Sequence, residues 1–124
     1  MNKVGNKTRD LSFMSTKNGR MMIVHTEQAM QYAMLLEKDP NVISYITNHP
    51  LEPDEIEAEQ GIRKTYYETQ WTSDFVITFA DCTTGIRELV TASKLTKRSE
   101  IEKLQLSHSY WQKTTTNWKI VIIQ

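Results

Sequence analysis

Apolar positions along this chain recur first with helical and then with strand spacing. After Thr26, the residues Ala29, Met30, Tyr32, Ala33, Met34, Leu35 and Leu36 cover most of a helical circumference, which predicts a helix to about Lys38, well buried all round. Thr26 is placed to cap its start, and Asp39-Pro40 stops it. Val42 to Thr47 is composed of residues that suit a pleated surface and predicts a strand. Pro50 and Pro53 break the pattern, and residues 52–61 read as an acidic loop or a short turn of helix. Gly61 to Gln70 reads as a strand paired with Thr72–Phe79, in which Asp74 opens an alternating run. Gly85 marks a hairpin turn and Ile86–Ser93 the returning strand. Thr96 or Ser99 caps a second helix, with Ser99 and Glu102 at capping-box spacing and Ile101, Leu104, His108 and Trp111 on one face. The mostly apolar run Trp118–Ile123 suits a buried strand, and residues 1–21 read as a polar arm or irregular lead-in. The order helix, strands, helix, strand predicts an α/β sandwich: a mixed β-sheet flanked by helices.

A length of 124 residues suits one domain, here a basic arm over residues 1–20 followed by a single domain over 21–124. No apolar stretch approaches a membrane span, and Met1-Asn2-Lys3-Val4-Gly5-Asn6 lacks the apolar core of a signal peptide. The lone Cys82 excludes an internal disulfide and a cysteine-rich zinc site. These features together predict a cytoplasmic protein with no membrane partner.

The net charge is zero, whereas a free-standing DNA binder is usually basic, because phosphate neutralisation supplies most of its affinity. The charges are nonetheless segregated. Lys3, Lys7, Arg9, Lys17 and Arg20 make the first segment basic, and Glu52, Asp54, Glu55, Glu57 and Glu59 make the middle acidic. Lys94, Lys97, Arg98 and Lys103 form a second basic group. Either these are solvated surfaces, or two basic patches flank a site for DNA, with Lys97, Arg98, Arg20 and Lys17 as candidate phosphate contacts.

Asp74 on one strand of a hairpin and Lys94 at the end of the next form the skeleton of a metal-dependent nuclease site. Hydrolysis of a phosphodiester needs charge stabilisation and an activated water; magnesium supplies both when held by one or two carboxylates. Asp74 is the candidate ligand, and Lys94 is placed to position the attacking water. On a strand, residues 92 and 94 share a face, so a further ligand belongs at position 92, where this chain has Ala92. His25, His49 and His108 read first as packing or surface residues, and Cys82 lies in a turn without a partner. Trp71, Tyr66 and Tyr67 suit sheet coverage better than base stacking.

The surrounding residues resemble TnsA, the endonuclease subunit of heteromeric cut-and-paste transposases. The resemblance runs from about Gly19 to Ile123. Its pieces are Gly19-Arg20, Leu35-Leu36-Glu37-Lys38-Asp39-Pro40-Asn41-Val42, Pro50-Leu51, Thr72-Ser73-Asp74-Phe75-Val76-Ile77, Ser93-Lys94, Arg98-Ser99-Glu100-Ile101-Glu102-Lys103-Leu104, Tyr110-Trp111 and Trp118-Lys119-Ile120. It implies a restriction-endonuclease-like core, magnesium dependence, cleavage of DNA at the ends of a mobile element, and work beside a separate transposase subunit. Position by position, the family's aspartate falls on Asp74 and its lysine on Lys94. Its acid or amide falls on Ala92, and the glutamate of its first helix on Ala29. Glu27 lies two residues earlier, a rotation of about 200° on a helix. Two readings follow. In one, Asp74 and Glu27 hold magnesium beside Lys94 and the chain is a DNA endonuclease. In the other, the site is disabled and a nuclease-fold protein binds DNA or a transposase partner.

Overall fold

The computed structural model describes residues 1–4, 10–52, 56 and 61–124. Lys7, Arg9 and most of the acidic stretch at 52–61 lie outside them.

Strands β1 (Asn2–Lys3), β4 (Val42–Pro50), β5 (Trp71–Phe79), β6 (Thr84–Thr91) and β7 (Trp118–Ile123) form one sheet, and β2 (Leu11–Ser15) and β3 (Arg20–Val24) form a separate hairpin. Among the described residues there are also helices α1 (Glu27–Lys38), α2 (Lys64–Glu68) and α3 (Arg98–Trp111). Strand β6 pairs with β7 in parallel and every other pairing is antiparallel, so the sheet is mixed. The predicted class of a mixed sheet flanked by helices is therefore what forms.

Helix α1 starts where expected: Thr26 is extended at φ −140°, and its hydroxyl accepts the Ala29 N–H at 3.0 Å. It is not buried all round, however. Only Ala33 and Leu36 are fully buried, and Leu35 is 63% exposed, because the helix lies on the sheet with one face. That face joins Met22 and Val24 of the hairpin and Val42, Tyr45, Phe75 and Ile77 of the sheet in one core. Burial of each large apolar side chain contributes about 1.5–3 kcal/mol. A second core on α3's side unites Leu51, Ile62, Trp71, Ile86, Leu106 and Trp111.

Several expectations are corrected. Residues 1–21 contain β1, β2 and the start of β3, and the apolar inner positions of β2 (Leu11 and Phe13) pack on α1's core. The β2–β3 turn is tied down by Glu37, which accepts the Ser15 hydroxyl at 2.6 Å, the Thr16 and Lys17 amides and the Tyr45 hydroxyl. The stretch 61–70 holds a short helix rather than a strand: Arg63 is anchored on Glu102, and β5 takes its partners from β4 and β6. Helix α3 begins at Arg98 with Lys97 at its N-cap, a side chain that has no acceptor to offer, and the Glu102 carboxylate is taken by Arg63 and Arg98 rather than closing a capping box on Ser99. Its inner face carries Glu102, Leu104, Leu106, Ser107, Ser109 and Trp111, while Ile101 and His108 are exposed. Burial pushes Glu102 up, but the donors on Arg63 and Arg98 outweigh it and hold the carboxyl below its usual range.

One rung of the sheet changes sides. Alternation would keep Tyr45, Thr47 and His49 on one face. Yet the Tyr45 hydroxyl meets Glu37 of α1, while the His49 ring lies 5.4 Å from Trp111 of α3. Between them Asn48 has φ +52°, a left-handed value that Asn tolerates better than most residues. Strand β5 changes sides at the same place: Ser73 bonds Trp111, and Phe75 packs on Tyr32 of α1. The pairs His49↔Ser73 and Thr47↔Phe75 put Asn48 opposite Asp74.

Candidate active site

Asp74 sits in a break along one edge of β5. Strand β4 covers the other edge throughout. On this edge β1 pairs with Trp71 and Thr72, and β6 pairs only with Phe75 to Thr78. Beyond Arg87, β6 runs on with β7 alone, so the strands fork and Asp74 projects into the gap. The fork opens on a cavity of about 220 Å³ between the start of α1, the end of β6 and the start of α3. Asp74, Asn48, Ala29, Lys94, Glu100 and Lys103 are on its walls.

The Asp74 carboxylate is buried and fully engaged. Its Oδ2 accepts the Met1 ammonium at 2.7 Å and the Leu89 N–H at 2.8 Å, and its Oδ1 accepts the Asn2 amide at 3.1 Å. The Met1 ammonium is shared with Glu88 Oε1 at 3.4 Å. Burial pushes that ammonium's pKa down, but the two carboxylates outweigh it and raise it above its ordinary value.

Glu88 was not singled out from the sequence, and it is the most enclosed group of the site, with no exposed surface. Its Oε1 accepts the Asp74 N–H at 2.9 Å, and its Oε2 accepts the Ser73 hydroxyl at 2.7 Å and the Ser107 hydroxyl. Those hydroxyls in turn accept the indole N–H groups of Trp111 at 2.8 Å and Trp118 at 3.0 Å. Burial pushes the Glu88 carboxyl up, the ammonium opposes it, and the neighbouring Asp74 adds to the rise. The signal that finds Glu88 is the hairpin register. Asp81 Oδ1 accepts both the N–H and the hydroxyl of Thr83, the turn tightens, and Phe75 pairs with Arg87; the next rung sets Asp74 against Glu88.

Lys94 reaches the cavity by a different route from the one expected. Strand β6 ends at Thr91, and Ala92–Lys94 form a 3-10 turn closed by the Leu95 N–H on the Ala92 carbonyl. At three residues per turn, positions two apart point about 240° apart, so Ala92 and Lys94 do not share a face. Glu27 is exposed in the first turn of α1 and is not on the cavity wall, whereas Ala29 is. Lys97 and Arg98 are exposed beside Lys94 at the start of α3, with Arg98 Nε 2.6 Å from Glu102. Lys17 lies at the far end of α1, about 18 Å away along a 12-residue helix, where its ammonium caps the carbonyls of Asp39 and Val42. Arg20 begins β3 at that same end, and the strand's other end, Val24, is on the cavity wall. Lys17 and Arg20 are therefore set apart from Lys97 and Arg98. His25, also on the wall, bonds Asp10 at 2.8 Å, and His108 lies edge-on to Trp118. Cys82 is exposed in its turn.

Among the described residues no three His, Cys, Asp or Glu side chains converge as a metal-binding group. Asp74 and Glu88 nevertheless hold one cation between them, the Met1 ammonium. A magnesium ion held by both carboxylates would take the ammonium's place, with Asp74 on the cavity wall and Glu88 fully buried behind it. Among the described residues no helix is long and apolar enough to cross a membrane. No family model and no curated protein matches the chain.

Proposed function

We propose that this chain is a TnsA-like domain with a restriction-endonuclease-like core that cleaves DNA with magnesium, during transposition, beside a transposase partner subunit. The observation that supports this reading is the meeting of Asp74 and Lys94 at one cavity, with Glu88 on the rung across from Asp74. Glu88 takes the part assigned on sequence to Glu27, so Asp74 and Glu88 are the residues that would hold the ion. Magnesium bound there would supply Lewis-acid charge stabilisation and a more acidic water. Lys94 presents an exposed ammonium at the mouth, able to attract a backbone phosphate and hydrogen-bond a water. Lys97 and Arg98 continue that positive edge along the start of α3, where a DNA backbone would lie.

A second reading is a nuclease-fold protein without the chemistry, binding DNA or a transposase partner. It is favoured by the engagement of both Asp74 oxygens by Met1, Asn2 and Leu89, and by Ala29 on the cavity wall.

Nicking of supercoiled plasmid with magnesium, then manganese, tests both readings, alongside Asp74→Asn and the double reversal Lys97→Glu with Arg98→Glu. Nicking that disappears in Asp74→Asn supports the endonuclease. Absence of nicking, with DNA binding whose log–log salt slope falls by about 2 on the double reversal, supports the second reading. Neither nicking nor salt-dependent binding refutes both.

A further inference from the structure

We infer that β7 is a self-association edge, and that two copies of this chain join across it into one continuous sheet. The Ile86 N–H bonds the Asn117 carbonyl, and in a parallel ladder this directs Asn117, Lys119, Val121 and Ile123 toward β6. The backbone groups of Trp118, Ile120 and Ile122 therefore point outward, and among the described residues they have no partner. Ile120 is 38% and Ile122 50% exposed. Beside them runs an apolar groove of about 620 Å³ between β7 and α3, lined by Leu95, Ile101, Leu104, His108, Trp118 and Ile120.

The two edges of the sheet are treated differently. Strand β4, at the other edge, breaks its register between Val42 and Ser44, ends in Pro50, and leans on β3 through the Thr47 hydroxyl on the Ile23 carbonyl. These are devices that blunt an edge. Strand β7 has neither a register break nor a proline, its pairing with β6 runs over all its residues, and Lys119 is its one charged side chain.

The occupant that fits is a second copy, because the strip is its own complement. Antiparallel pairing centred on Ile120 sets Trp118 against the partner's Ile122 and Ile120 against the partner's Ile120. The outward groups then exchange about six backbone hydrogen bonds. Lys119 falls opposite the partner's Val121, so no like charges meet on that rung. With 15 basic and 15 acidic residues, two copies carry no net repulsion at neutral pH. Each groove receives the partner's Ile122 over Trp118.

Sedimentation of the full chain across the micromolar range tests this, together with hydrogen exchange at the lowest and highest concentrations. A reversible monomer–dimer equilibrium is expected, with the amides of Ile120 and Ile122 exchanging more slowly as dimer accumulates. Ile120→Lys sets like charges directly opposite and weakens the dimer by at least about tenfold, while Leu35→Lys, on exposed α1 surface, leaves it unchanged. A chain that stays monomeric throughout overturns the inference. So do a ladder of larger species, a dimer in which those two amides gain no protection, and an Ile120→Lys variant that dimerises as the parent does. The wild-type exchange measurement decides the matter even if the lysine variant fails to fold.

Discussion

Truncating Glu88 to alanine removes the acceptor for three buried donors, the Asp74 N–H, the Ser73 hydroxyl and the Ser107 hydroxyl, and one of the two carboxylates beside the Met1 ammonium. A buried donor left without an acceptor costs about 1–3 kcal/mol. The Asp74 amide cannot turn away and loses the full amount. The two hydroxyls are pinned by indole donors on their other side, so each loses roughly the lower figure. Against this, a carboxyl whose pKa is raised by burial takes some of its desolvation cost with it when removed. The balance is a loss of about 3 kcal/mol, or a fall in Tm of roughly 10 °C for a domain of this size. Glu88→Gln keeps the shape and one accepting oxygen, and should lose about half as much. Thermal unfolding followed by circular dichroism at neutral pH measures both. Near-ultraviolet dichroism should change in step, because Trp111 and Trp118 end the two hydrogen-bonded chains. A Glu88→Ala protein melting within about 3 °C of its parent would refute the reasoning, since that is under 1 kcal/mol.

Two further outcomes follow from local geometry. Burial pushes Glu37 up, but Ser15, Tyr45 and the Lys17 and Thr16 amides outweigh it and hold its carboxyl below the ordinary value of 4.5. Its contribution is therefore complete above pH 4.5 and is lost as pH falls through the lower folded value; Glu37→Gln should flatten that acid limb in urea midpoints measured against pH. Asn48→Val forces a β-branched residue to the left-handed φ of +52° and should cost about 1–2 kcal/mol, whereas Asn48→Gly should come within a few tenths; equal losses in chemical denaturation would mean that the backbone at this rung relaxes.

What was legible in the sequence was whatever a local signal encodes. Thr26 caps α1 because a hydroxyl three residues before an amide is a short-range geometry, and the run from Asp74 forms a strand because its β-favouring residues alternate at a spacing of two. The 61–70 stretch carries a helix where its composition predicts a strand, because its conformation rests on Arg63 reaching Glu102, a partner 39 residues away. The capping box of α3 does not close, because the helix starts one residue before Ser99 and the Glu102 carboxylate is shared between Arg63, from outside the helix, and Arg98, its first residue. At the site, Asp74 and Lys94 meet at one cavity, but through a fork and a 3-10 turn that periodicity does not reveal. Glu88 escaped because a carboxylate inside an apolar strand looks like a surface position until a register places serines and tryptophans around it.

The rung at Asn48 and Asp74 also bears on how the molecule comes apart. Strand β5 serves α1's core through Phe75 and Ile77 and α3's core through Trp71 and Val76, and β4 reaches the first through Tyr45 and Trp111 of α3 through His49, so opening either core pulls on the same two strands. Helices on opposite faces of a sheet would otherwise be free to detach as separate units. Here the central amides of β4 and β5 belong to one cooperative block, open to solvent only when the whole sheet does. The cavity at Asp74 is thereby built on the part of the chain least given to partial opening.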